Sequence, residues 1–85
     1  MKDHKGSLTN WWVFYPDRAE KFAPKESLGY IIRGTFVDHE DFAGEDGHTS
    51  WVVSHDETSG YIETMNSRYT LLGAPKRPPQ RYGER

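Results

Sequence analysis

Large apolar residues occur in short clusters along this chain, and within the clusters they alternate with polar ones at a period of two. Such alternation sends successive side chains to opposite faces of an extended segment and predicts strands. It is clearest over residues 29–39, where Tyr30, Ile32, Gly34 and Phe36 share one face and Ile31, Arg33, Thr35 and Val37 the other. Both faces carry apolar groups, which predicts a central strand, and Gly34 inside it predicts a bend or bulge. Residues 11–15 are a dense aromatic and β-branched run ended by Pro16, again a strand. Residues 49–54 predict a third strand, with Trp51 and Val53 on one face. Residues 56–60 read as a turn by composition. Residues 61–65 and 68–72 predict a hairpin around Asn66-Ser67, closed by Gly73.

The remaining segments are punctuation. Residues 1–9 are short, polar and charged and predict a frayed start. Residues 16–22 predict one helical turn, with proline at its first position, Asp17 and Glu20 near its start and Lys21 near its end. Pro24 stops it. Residues 38–48 are a polar, glycine-bearing connection in which Phe42 is the one large anchor. Pro75, Pro78 and Pro79, set among basic residues, predict an extended, flexible tail over 74–85.

Five short strands about ten residues apart predict an all-β fold, or a mainly β one with one short helix. The expected architecture is a small five-stranded curled sheet or SH3-like barrel over 10–73. Curling is favoured because closing a sheet on itself removes exposed edges. An open meander with one helix against it is the alternative.

Composition sharpens this. With 85 residues there is room for one small domain, and only 34% are apolar while 14% are aromatic. That balance predicts a thin core built around rings rather than a disordered segment. The absence of cysteine excludes disulfides, thiolate metal sites and cysteine nucleophiles, and fits a reducing, cytoplasmic location. The longest uninterrupted apolar run is 11–15, far short of the roughly 18 residues of a membrane span, and no signal-peptide core follows Met1.

The net charge of −2 hides a strong asymmetry. Residues 1–33 carry +2 and residues 68–85 carry +4, whereas residues 34–67 hold eight acids and no Lys or Arg. A centre this acidic repels nucleic acid and attracts basic surfaces. Acids filling solvated turns would give the same count.

Candidate chemistry is sparse. No nucleophile elbow and no phosphate-binding glycine loop is present, and neighbours such as His55 and Asp56 point to opposite faces of a strand, so no enzyme is expected. Asp38, His39, Asp41, Asp46 and His48 crowd one connection, but their spacing matches neither a helical histidine pair nor a calcium loop, so no metal and no cofactor is expected. Histidines beside so many acids are expected to titrate slightly high, which would make the connection pH-sensitive. Trp11, Trp12 and Phe14 beside basic residues, with Lys76, Arg77 and Arg81 in the tail, resemble the stacking surfaces of small nucleic-acid-binding barrels. The same rings are the obvious material for a core. The tail also has the Pro-x-x-Pro spacing of a polyproline ligand.

From Gly34 to Gly73 a pattern runs through Val37, His39, Phe42, Asp46-Gly47, Thr49-Ser50, Val52-Val53, Glu63-Thr64, Asn66-Ser67, Tyr69 and Leu71. It resembles that of a group of short, mostly uncharacterised proteins of bacteria and their phages. Glu40 stands here where proline is usual after the histidine. The resemblance implies a compact β fold and a phage or mobile-element setting, and no activity.

The expectation is therefore a non-catalytic interaction protein, a modulator or inhibitor that docks an acidic face on a basic host protein. The partner-binding residues are expected to be Asp38, Glu40, Asp41, Phe42, Glu45 and Asp46. A nucleic-acid-binding barrel using Trp11, Trp12, Lys76, Arg77 and Arg81 is the alternative, and a self-associating structural subunit a third. No membrane association is expected.

Overall fold

The computed structural model describes residues 3–39 and 41–83. Among them are strands β1 (His4–Tyr15), β2 (Ile31–Phe36), β3 (Asp46–His48), β4 (Val52–Asp56), β5 (Tyr61–Thr64), β6 (Arg68–Leu71) and β7 (Gln80–Arg81), and one helical turn, α1 (Ala19–Phe22). The sheet runs in the order β3-β2-β1-β6-β5-β4, with β7 beside β1. The fold is mainly β, as the alternation predicts, with seven described strands rather than five.

The sheet curls so that one face encloses the core. Leu8, Trp11, Ile32, Phe36, Val52, Ile62, Tyr69 and Leu71 come from five different strands and form one buried cluster. Leu8, Ile32, Val52 and Ile62 are fully buried, each stabilising the fold by about 1.5–3 kcal/mol. The path ends at β3 and β4, so no continuous ladder closes a barrel. Two backbone bonds nevertheless tie β4 across the opening: Val52 N–H donates to the Tyr30 carbonyl (2.9 Å) and Leu28 N–H to that of Val52 (2.8 Å).

Residues 4–9 are not frayed. They form the first half of a twelve-residue β1, which pairs in parallel with β6 (Ser7↔Thr70, Leu8↔Leu71) and antiparallel with β2 (Leu8↔Phe36, Thr9↔Thr35). One fully buried leucine and backbone ladders on both sides hold a segment whose composition shows little sign of it.

Between Thr9 and Trp12 the β1–β2 register shifts, so Asn10 and Trp11 together face Gly34. Asn10 takes a left-handed conformation (φ 52°), which asparagine tolerates better than most residues. A Cβ on Gly34 would lie 3.0 Å from the Thr9 carbonyl oxygen and from Trp11 Cα, so the bulge needs glycine opposite it. The bulge also resets the alternation. Leu8 faces inward, but so do Trp11 and Val13, while Trp12 and Phe14 turn to the outer face with Arg33.

Three further details differ from expectation. The hairpin turns at Met65-Asn66, one residue early, because the Thr64 hydroxyl accepts from Asn66 N–H (3.3 Å) and Ser67 N–H (3.0 Å) and donates to the Ser67 carbonyl (2.9 Å). Val52 is the fully buried residue of its strand while Trp51 and Val53 on either side of it are partly buried, and a register shift between Val52 and Ser54 interrupts the expected alternation. The tail is extended but docked: Lys76 N–H donates to the Trp11 carbonyl (2.7 Å), Tyr82 N–H to that of Tyr15 (2.9 Å), and Gln80 and Arg81 pair with Phe14 and Tyr15.

Tyr30, the residue before β2, is tied to β4 through a hydrogen bond between its hydroxyl and His55 Nδ1 (2.9 Å). Burial first, then the charges of Tyr15 and Glu57, push its pKa up to about 12. The unfolded chain releases this proton near the ordinary tyrosine value of 10.0, so the stability tied to the neutral phenol is present below pH 10 and lost as pH rises towards 12. Melting midpoints should therefore fall between pH 10 and 12, and the fall should be shallower in Tyr30→Phe, as differential scanning fluorimetry would show.

Candidate functional site

The connection between β2 and β3 folds into a compact turn because its backbone groups pair locally. Phe36 N–H donates to the Glu45 carbonyl (3.0 Å), Gly44 N–H to that of Phe36 (2.7 Å) and Glu45 N–H to that of Phe42 (2.9 Å). This closure gathers four rings. Phe42 lies 4.8 Å from His39 and 5.9 Å from Phe36 between centroids, and Tyr69 on β6 lies 6.0 Å from Phe36 and 6.4 Å from His39. Phe36, His39 and Tyr69 are buried, whereas Phe42 is 48% exposed.

Together they line a cleft of about 340 Å³ with Glu45, Asp46, Gly47 and His48, and no Lys or Arg is among its lining residues. Glu45 and Asp46 are exposed at the rim. Asp46 is fixed there by Thr35 Oγ1, which donates to its Oδ1 at 2.6 Å. Burial raises the Tyr69 phenol above its ordinary range, an effect that the hydrogen bond with Ser67 partly offsets. An exposed ring face beside carboxylates is suited to a cationic side chain, attracted by the ring quadrupole and by the acids together.

The expected acidic set is divided by the structure. Phe42, Glu45 and Asp46 share the cleft, and Asp41 is exposed next to Phe42, its N–H donating to His39 Nδ1 at 3.0 Å. Asp38 faces elsewhere. Its Oδ1 accepts from Ser7 N–H at 2.6 Å, and it lines a separate hollow with Asp3, His4, Lys5 and Gly6. Glu40 lies outside the described residues. Phe36 and Tyr69 complete the cleft, contributed by strands that the chain's order does not bring together. His39 was legible as a component, because the His-x-x-Phe spacing puts both rings on one tight turn.

The two histidines of this connection are committed to backbone groups: His39 Nδ1 accepts from Asp41, and His48 Nδ1 donates to the Thr49 carbonyl (2.9 Å). Among the described residues, no three His, Asp or Glu side chains gather where they could share a metal ion. His55 and Asp56 are likewise divided. His55 packs edge-on against Trp11 and Tyr30, whereas Asp56 accepts from Thr58 (3.0 Å) and Ser59 (3.3 Å) N–H groups, which hold its carboxyl below the usual range.

The nucleic-acid set is corrected at Trp11. That ring is 8% exposed and its Nε1 donates to the Gly73 carbonyl (3.1 Å), so it is core and no base can stack on it. Trp12 is half-buried on the outer face, with Arg33, Lys76 and Arg77 over its ring. Arg81 lies instead over Tyr15, at 4.5 Å.

Among the described residues, no helix is long and apolar enough to cross a membrane. Comparisons of the chain with protein-family models, with curated proteins and with solved structures gave no match.

Proposed function

We propose that this chain is a non-catalytic interaction protein that docks its carboxylate-rimmed aromatic cleft on a basic protein surface. The observation that carries the reading is the half-exposed Phe42 ring standing beside Asp41, Glu45 and Asp46, over a cleft whose lining contains no Lys or Arg. Buried rings beneath Phe42 hold it in place, so a partner would not have to order it on binding, which lowers the entropic cost of association. The carboxylates would speed encounter with a cationic surface and fix register, and the ring would supply affinity.

The resemblance of residues 34–73 to short phage and bacterial proteins supports a concrete version: a modulator or inhibitor, acting in the cytoplasm, that occupies a basic host surface. A labelled arginine-rich peptide tests the recognition chemistry. Its anisotropy should rise on titration with this protein, an acidic peptide of equal length should give no rise, and Glu45→Lys should weaken the response. Equal response to both peptides would contradict the reading.

A further inference from the structure

Three cations converge on one indole on the outer face of β1. Arg77 Cζ lies 4.3 Å from the centroid of the Trp12 ring, Arg33 Cζ 5.9 Å and Lys76 Nζ 6.0 Å. Arg33 also lies 5.0 Å from the centroid of Phe14, which continues the same face two residues along the strand, about 7 Å away. All three cations are exposed, so a guanidinium resting on a ring still turns N–H donors to solvent. Ring contacts offset part of their mutual repulsion. Charges this close lie within about one Debye length of one another, so salt does not remove the rest.

Beside Trp12, and between Arg33 and Lys76, is a cavity of about 220 Å³, lined also by Asn10, Gly34 and Asp46 among others. Its one carboxylate, Asp46, already accepts from Thr35. The Trp12 Nε1 atom is buried without a hydrogen-bond partner. A site with surplus positive charge matches an anion with several acceptor oxygens. The exposed guanidinium groups of Arg33 and Arg77, resting on these rings, offer planar faces on which bases could stack, which extends the match beyond a lone ion.

We infer that Trp12, Phe14, Arg33, Lys76 and Arg77 form a site for the phosphodiester backbone of single-stranded nucleic acid. This site shares Asp46 and Gly47 with the wall of the aromatic cleft but opens on the outer face of β1, and it does not depend on the docking proposed there. The tail creates it. Residues 75–79 bring Lys76 and Arg77 over Trp12 only because the Lys76 backbone is bonded to Trp11.

Fluorescence anisotropy with a labelled oligothymidylate of about ten nucleotides tests the site. The logarithm of affinity should fall against the logarithm of salt concentration with a slope of about −2, as three phosphate contacts on a single strand require. Arg77→Glu and Lys76→Glu should each weaken binding about tenfold and flatten the slope, and the Trp12 indole resonance should shift on binding. Lys25→Glu, which changes the charge equally but lies outside the site, should leave affinity unchanged. Three results would overturn the inference: binding of an acidic peptide as tight as that of the oligonucleotide; saturation by inorganic phosphate or thymidine monophosphate as tight as by the oligonucleotide, which would make it a small-anion site; and equal weakening by Lys25→Glu, which would reduce it to net charge.

Discussion

Trp11→Ala is expected to lower the stability of this protein by about 3–5 kcal/mol, well above the cost of Trp12→Ala. The two rings are adjacent in sequence and chemically identical, so the contrast isolates the effect of the β-bulge. Trp11 is buried against Ile32, Val52 and the rest of the core and donates its indole N–H to Gly73. Removing a ring so placed costs about 3–5 kcal/mol. A chain of this size has a total stability of roughly 4–13 kcal/mol at 0.05–0.15 kcal/mol per residue, so that loss consumes much of it. The Gly73 bond also fixes the point where the tail leaves β6, so the variant should free the tail as well. Trp12 instead forfeits cation contacts worth about 0.5–1 kcal/mol each and some half-buried area, for a cost of about 1–2 kcal/mol. Urea titrations followed by circular dichroism would measure both. Similar midpoints for the two variants would mean that the inward and outward assignments around Asn10 are not those described.

Phe42→Ala is expected to abolish most binding to a cationic partner without loss of the fold. Half of this ring is exposed, and the backbone bonds that close the turn do not depend on its side chain. As the central anchor of a docking surface it should be worth 2 kcal/mol or more, about a thirtyfold loss of affinity. Glu45→Lys should act differently. Reversing a rim charge slows association and weakens its salt dependence, while dissociation changes less. Stopped-flow association rates across salt concentrations would separate the two. A Phe42→Ala protein that binds an arginine-rich peptide as well as the parent would remove the ring from the mechanism.

Much of β2 was legible because its alternation is local: Ile32 and Phe36 are buried and Arg33 is exposed, as the pattern requires. The first half of β1 was not, because Leu8 is its only large apolar residue and its strand character comes from ladders to β2 and β6. No periodicity distinguishes Trp11 from Trp12. Their opposite fates follow from one left-handed residue, Asn10, and from the absence of a Cβ on Gly34 facing it. The tail's composition correctly indicates extended chain, but ring contacts to Lys76, Arg77 and Arg81 and a short pairing with β1 hold it down. For the candidate site, the run of acids was visible and its division was not. Asp38 is drawn to the Ser7 N–H on β1, and Tyr69 reaches the cleft from a strand more than twenty residues downstream of Phe42.

Chemical-shift mapping with the arginine-rich peptide tests the docking surface most directly. The amides of residues 41–46 and the ring signals of His39, Phe42 and Tyr69 should move together along one titration curve, with the outer face of β1 unmoved. Shifts confined to the β4–β5 turn, or spread evenly over every exposed acid, would contradict a docking site at this cleft.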